Sequence, residues 1–490
     1  MILIMGVTLY TVRIVLNVLG EVDYGIYTVV GGVVTMLAFL SDTMTSASQR
    51  FFSFELGRGD FDRLKQVFSL SFIIYVGIAI LIILLAETVG LWFLNTKMTI
   101  PEQRMAAANW VYQFSVFAFV ANVLSIPYNA AIIARENMKA FAYISILEAL
   151  LKLAIIYFLV ILSFDKLKLY AVLMFGVTVL VSFSYFLYAY KRYKECHVIY
   201  YWDRKLFSAL GSYSGWSLVG ALSGIARNQG TNILLNIFFN PIVNAAQAIA
   251  FQVSNALSQF ATSFHTAVKP QIIKYYAGNK TELLMQLVFK SSKFSFFLLY
   301  VFSLPLILET DFVLKIWLKD VPDYAGLFTT LVIVVTLINS LSYSMITVAQ
   351  ATGKIKNYQI WVGGSQLLSL PVSYLFLKSG YPPQSVMYVA VAFALIALLL
   401  RLVLLRGMVG FNILAYSKQV LIRVIIMSGL SYGLLFFIVS IFTEGWIRFF
   451  TGGFVSIIVA MLSIFFVGLT KDERGFVINF LKTKIKGYKS

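Results

Sequence analysis

The sequence predicts an all-α polytopic membrane protein of about 14 transmembrane helices, two six-helix lobes related by a pseudo-repeat plus two C-terminal helices. The first observation behind this is composition. Of 490 residues, 60% are hydrophobic and only 12% charged, and the mean hydropathy is +0.85. Soluble domains run about 45–50% apolar and about 25% charged, so this chain cannot bury its 43 Phe and 28 Tyr in a water-soluble fold. Disorder needs the opposite balance, low hydrophobicity with high charge. The second observation is periodic: fourteen apolar stretches approach or exceed the roughly 20 residues that cross a bilayer. The third is an internal register, described below.

The spans are placed at residues 2–19, 25–48, 67–94, 108–132, 141–163, 169–190, 211–238, 243–266, 287–308, 324–349, 358–377, 384–405, 422–442 and 449–469. Span 1 has neither the basic start nor the small-residue cleavage site of a signal peptide, and Arg13 interrupts it. It begins so abruptly at Met1 that a few cytoplasmic residues are expected to precede it. Even-numbered connections and the tail hold 26 Lys and Arg, and odd-numbered connections hold 8. Positive charge gathers on the cytoplasmic side, so both termini are expected in the cytoplasm. Most of the net charge of +18 is thereby explained as topology, and nucleic acid is not an expected partner.

Shifting the sequence by 219 residues lays Leu16-Asn17 on Leu235-Asn236 and Arg50 on Lys269. Gly59-Asp60 falls on Gly278-Asn279 and Leu64 on Leu283. Such internal symmetry is the plan of many secondary transporters. It predicts lobes at 1–206 and 207–406, an additional helix pair at 407–470 and a basic tail at 471–490. Lobes of this kind are expected to rock about a fixed site.

No phosphate loop occurs: Gly353-Lys354 lacks the upstream glycine and is followed by Ile355. One cysteine and two histidines, Cys196, His197 and His265, provide neither a metal cluster nor a nucleophilic site. The chain is therefore not expected to be an enzyme, and no catalytic residue, metal or cofactor is assigned.

Charges inside spans are costly and point to function. Arg227 lies within span 7 beside Asn228, Asn232 and Asn236, whose four-residue spacing puts them on one face. Span 8 answers with Gln252, Asn255 and Gln259. Lipid cannot satisfy these groups, so they face a wet cavity or bond to one another between helices. The arginine among them favours a cavity. Asp42 in span 2 and the Glu148/Lys152 pair in span 5 are coupling or structural charges, Glu148 standing in the favourable order before Lys152. Lys290 and Lys293 are expected to snorkel, and Pro127, Pro305 and Pro371 to kink or interrupt their helices. A net-positive polar interior suits an anionic or sugar-rich cargo, since a guanidinium grips phosphate through two bonds.

Several stretches resemble bacterial polysaccharide flippases. They are Arg13-Ile-Val-Leu-Asn-Val-Leu-Gly with Asp23-Tyr-Gly-Ile-Tyr, and Gln49-Arg50-Phe-Phe with Glu55-Leu-Gly-Arg-Gly-Asp. Pro127-Tyr-Asn-Ala-Ala-Ile-Ile-Ala-Arg-Glu-Asn-Met and Ala351-Thr-Gly-Lys-Ile-Lys-Asn-Tyr continue the likeness. The resemblance is to the Wzx-type branch of the multidrug/oligosaccharidyl-lipid/polysaccharide (MOP) exporter superfamily. It implies translocation of undecaprenyl-diphosphate-linked oligosaccharide repeat units across the bacterial inner membrane for O-antigen, capsule or exopolysaccharide. It further implies a cationic cavity between the lobes, and a polysaccharide polymerase and glycosyltransferases as partners. Carried over by position, Arg13, Arg50 and Arg227 become the lipid-diphosphate contacts. The alternatives are a cation-coupled multidrug exporter of the same superfamily, for which Asp42 and Glu148 are few acids, and a non-transporting scaffold of an assembly complex.

Overall fold

The computed structural model describes residues 38–98, 100–162, 164–239, 241–318, 320–440 and 445–475, with residues 11, 14–15, 18–20, 22–31 and 478–479. The described residues are mostly helical, with no strand among them. Ten helices are long and apolar enough to cross a membrane, and the chain is a multi-pass membrane protein. Ala38–Arg58, Arg204–Phe238 and Pro241–Ala277 (spans 2, 7 and 8) have the length of a span but are not among those ten. The amides and charges that mark the candidate site lower the hydropathy of the last two.

The chain divides into two compact units, Met1–Leu218 and Val219–Ser490. In the first, local chemistry fixes where helices start. The Asp60 carboxylate accepts from the Arg63 amide at 2.9 Å and opens Phe61–Leu85. Asn137 accepts from the Ala140 amide at 3.2 Å and opens Met138–Ile161. Asp165 accepts from the Leu167 and Lys168 amides at 3.1 and 3.4 Å and opens Lys166–Arg192. Such caps satisfy amides that a helix leaves without partners.

The tight turns between helices share one geometry. Ala38–Arg58 ends in left-handed Gly59 (φ 75°), whose amide donates to Leu56 O, while the Asp60 amide reaches back to Glu55 O. Asn279 (φ 56°) and Lys280 in the second unit donate to Tyr276 O and Tyr275 O in the same pattern. This Schellman closure recurs one residue past the 219-residue register, so Gly59 corresponds to Asn279 at this turn rather than to Gly278. Glu136 (φ 59°) and Asn137 repeat it, donating to Ile133 O and Ile132 O.

Helices continue through Pro127, Pro270, Pro305 and Pro371, so none of the three prolines named from sequence ends its helix. The interruption in span 10 has another cause. Ala325–Ser340 and Tyr343–Ala351 are separated at Leu341 and Ser342. The Leu341 carbonyl accepts from Ser292 Oγ at 3.0 Å, and the Ser342 hydroxyl from Arg401 at 3.1 Å. Side chains thus supply what the broken helix lacks.

Ion pairs join connections of like parity. Arg104, of the third connection, holds Asp23 of the first and Asp165 of the fifth, the latter at 3.0 Å. Arg63 holds Asp203 at 3.2 Å and Arg135 holds Glu195, all four on even connections. In the second unit Arg448 holds Glu309 at 2.8 Å, both on odd connections. Lys293, expected to snorkel, is instead 1% exposed and pairs at 2.6 Å with Glu473, just beyond the last span. A buried ammonium needs a carboxylate, and the chain provides one from 180 residues away. Lys290 is exposed, as expected.

Candidate functional site

In the second unit, Arg227 sits part-buried on Arg204–Phe238, and its Nη2 donates to Asn228 Oδ1 at 3.3 Å. Among the described residues no carboxylate pairs with it. Arg401 is 4% exposed within Gln384–Val409, its Nε donating to Tyr358 Oη at 3.0 Å and its Nη1 to Ser342 Oγ. Both guanidinium groups lie on helices of the second unit, and neither has an acidic partner among the described residues.

The amide stripes divide into two kinds. Asn236 donates to Asn244 Oδ1 at 3.3 Å, and Asn244 donates to the Asn232 carbonyl at 2.7 Å and to its side-chain oxygen. Asn232 and Asn236 therefore take part in bonding spans 7 and 8 together, through a residue that the spacing argument passed over. Asn228, Gln252, Asn255 and Gln259 are exposed on their helices. One turn from Asn244, Gln247 is 2% exposed and neither end of its amide has a hydrogen-bond partner. Further along the same helix, His265 Nε2 lies 2.9 Å from Thr347 Oγ1 while its Nδ1 is buried without a hydrogen-bond partner. Pro241–Ala277 runs eleven residues beyond the expected end of span 8, which places His265 and Lys269 within the helix.

In the first unit, Asp42 lines a cavity of about 460 Å³ with Thr28, Asn122 and Thr178 on its polar side and Phe114 and Phe175 on its apolar side. No Lys or Arg pairs with Asp42 among the described residues. Arg50 is 7% exposed, its guanidinium over the rings of Phe51 at 4.5 Å and Phe54 at 4.7 Å. Glu148 and Lys152 pair with each other at 2.6 Å on one helix face. Arg13 lies outside the described residues.

Arg401 falls inside span 12 as placed from sequence, yet it is not among the candidate residues there. The signal that marks it as interior is Arg406, a second cation five residues on and nearer the helix end at Val409. Among the described residues, no group of three His, Cys, Asp or Glu is placed to hold a metal ion.

Residues 1–158 match the MatE family model. No curated protein matches the chain in sequence. Among solved structures, a multidrug resistance MATE-family transporter of the MOP superfamily in its outward-facing conformation is similar at TM-score 0.69 and 15% identity. That match covers 84% of this chain and 94% of the other. The MATE transporter ClbM in complex with Rb+ is similar at TM-score 0.71 and 16% identity, covering 83% and 92%. A MOP superfamily transporter from Pyrococcus furiosus, whose reversed pocket polarity is taken to suggest a different function, is similar at TM-score 0.69 and 14% identity, covering 83% and 93%. The polytopic helical fold of this chain is the one these three structures share.

Proposed function

We propose that the protein is an exporter of the MATE/MOP type whose cargo is a negatively charged amphiphile, a polyprenyl-diphosphate-linked oligosaccharide being the chemistry that fits best. The observation that carries this is Arg227: a guanidinium within a span, beside amides, with no carboxylate partner among the described residues. A cation kept in this state is costly in a membrane, and a diphosphate would neutralise it through bidentate bonds. The exposed amides of Gln252, Asn255 and Gln259 suit sugar hydroxyls.

A second reading, cation-coupled multidrug export, is favoured by a different observation, the Asp42 carboxylate in its 460 Å³ cavity. The printed descriptions of the solved relatives, one a multidrug transporter and one holding Rb+, stand nearer to this reading. In both readings Asp42 would be the group through which a coupling cation acts.

Reconstituted full-length protein separates the two. With a labelled polyprenyl-diphosphate sugar, wild type should flip substrate, Arg227→Ala should lose at least tenfold, and Arg227→Lys should recover part, having the charge without the fork. Normal flipping by correctly inserted Arg227→Ala overturns the anionic-cargo reading. Efflux of an organic cation that Asp42→Asn abolishes, with no flipping of the lipid-linked sugar, establishes the second reading instead.

A further inference from the structure

The connection between spans 6 and 7 exposes a run of large apolar side chains to its surroundings. Val198, Tyr200 and Trp202 are 42%, 96% and 56% exposed, and Phe207 follows at 41% with its ring 5.0 Å from that of Trp202. Such a run in open water is unfavourable in proportion to its apolar area.

Its backbone is nonetheless held in place. The Ile199 amide donates to Ser69 Oγ at 3.0 Å, and Arg63 donates to Tyr201 Oη at 3.0 Å and to Asp203 at 3.2 Å. Tyr201 and Asp203 are thereby turned inward, which presents Tyr200 and Trp202 outward across them, and Ile199 beside Tyr200 is exposed as well.

The charges around this run are one-sided. Lys191, Arg192, Lys194, Arg204 and Lys205 are all exposed, and none of them forms an ion pair among the described residues. The only acids of the segment, Glu195 and Asp203, are taken up by Arg135 and Arg63. Helices of membrane-crossing length and composition end at Arg192 on one side of the segment and at Ala134 beside it. The connection therefore stands at the level where helices leave the bilayer.

We propose that residues 197–207 form an interfacial anchor that inserts Tyr200, Trp202 and Phe207 among the headgroups of anionic lipids, with the five cations binding the lipid phosphates. Aromatic residues favour this depth, and each cation near a negative leaflet strengthens attachment. A protein partner would need a matching acidic surface, whereas the membrane is already present at this level.

The test uses the full chain carrying Tyr200→Cys and Cys196→Ala, spin-labelled at position 200. The protein is placed in vesicles of phosphatidylcholine alone or of phosphatidylcholine with phosphatidylglycerol. The readout is the ratio of collisions with oxygen, which concentrates in lipid, to collisions with a nickel chelate, which stays in water. The ratio should rise severalfold with phosphatidylglycerol and fall back when salt shortens the Debye length. Replacing the five cations with Gln should abolish the rise, and the salt arm reads the same effect without substitutions. An equal ratio in both lipids overturns the anchor. A label shielded from both reagents overturns it too, since protein then covers the site.

Discussion

Arg104 Nη1 lies 3.0 Å from Asp165 Oδ2, and Arg104 Nη2 lies 3.2 Å from Asp165 Oδ1, a two-point grip between connections 61 residues apart. Burial alone would raise the Asp165 carboxyl, but the Arg104 bonds and the Leu167 and Lys168 amides outweigh it and hold it below the usual carboxylate range. A depressed carboxyl contributes stability that is full above its unfolded value, about 3.9, and is lost as pH falls through its folded value. Both partners are over a quarter exposed, so screening limits the contribution to about 1 kcal/mol.

Arg104→Gln should therefore lower thermal stability in detergent at pH 7 and narrow the gap to wild type on acidification below about pH 4. An equal gap at both pH values would show that the grip does not depend on an ionised Asp165.

A second relationship sits in span 3. Residues Ala86–Gly90 form one widened π turn, and the Ala86 carbonyl accepts from Tyr112 Oη at 2.9 Å. A Cβ at position 90 would overlap that hydroxyl. Gly90→Ala should cost about 1–3 kcal/mol by overpacking, and Tyr112→Phe about 1 kcal/mol by removing one of the two hydrogen bonds to the Ala86 carbonyl, which keeps the Leu91 amide. Combined, they should cost less than the sum, because removing the hydroxyl relieves the overlap. Strict additivity in a double-mutant cycle would refute this account.

The buried Lys293–Glu473 pair makes the third prediction. Glu473 Oε2 also accepts from the Thr470 amide at 2.8 Å, and the Glu473 amide donates to Thr470 Oγ1, closing a capping box. Glu473→Gln should cost about 3–5 kcal/mol by leaving an ammonium buried without its carboxylate. Adding Lys293→Met should recover most of it. Limited proteolysis near residue 470 reads the outcome directly. Equal cleavage of wild type and the single variant would mean that the pair does not hold this segment.

These residues also show what sequence could and could not reveal. Arg227 and its amides stand out because a cation within an apolar stretch is rare. The caps at Asp60, Asn137 and Asp165 follow from residue type alone. Arg401 does not stand out and Lys293 does not snorkel, because composition encodes neither depth along a helix nor a partner far away in the chain. Asn244 was passed over because the facing residue on the next helix obeys no spacing of its own. The turn register slipped by one at Asn279 because a left-handed position accepts Asn as well as Gly.

The like-parity ion pairs have a consequence for biosynthesis. Arg104 reaches its place with the fourth span, 81 residues after Asp23, yet Asp165 is made 61 residues later. Arg63 waits longer still, 140 residues, for Asp203. During synthesis each of these arginines is delivered to its side of the bilayer before the carboxylate that closes its bond. The ion pairs of the first unit are therefore complete only once Asp203 has been made, close to the end of that unit at Leu218.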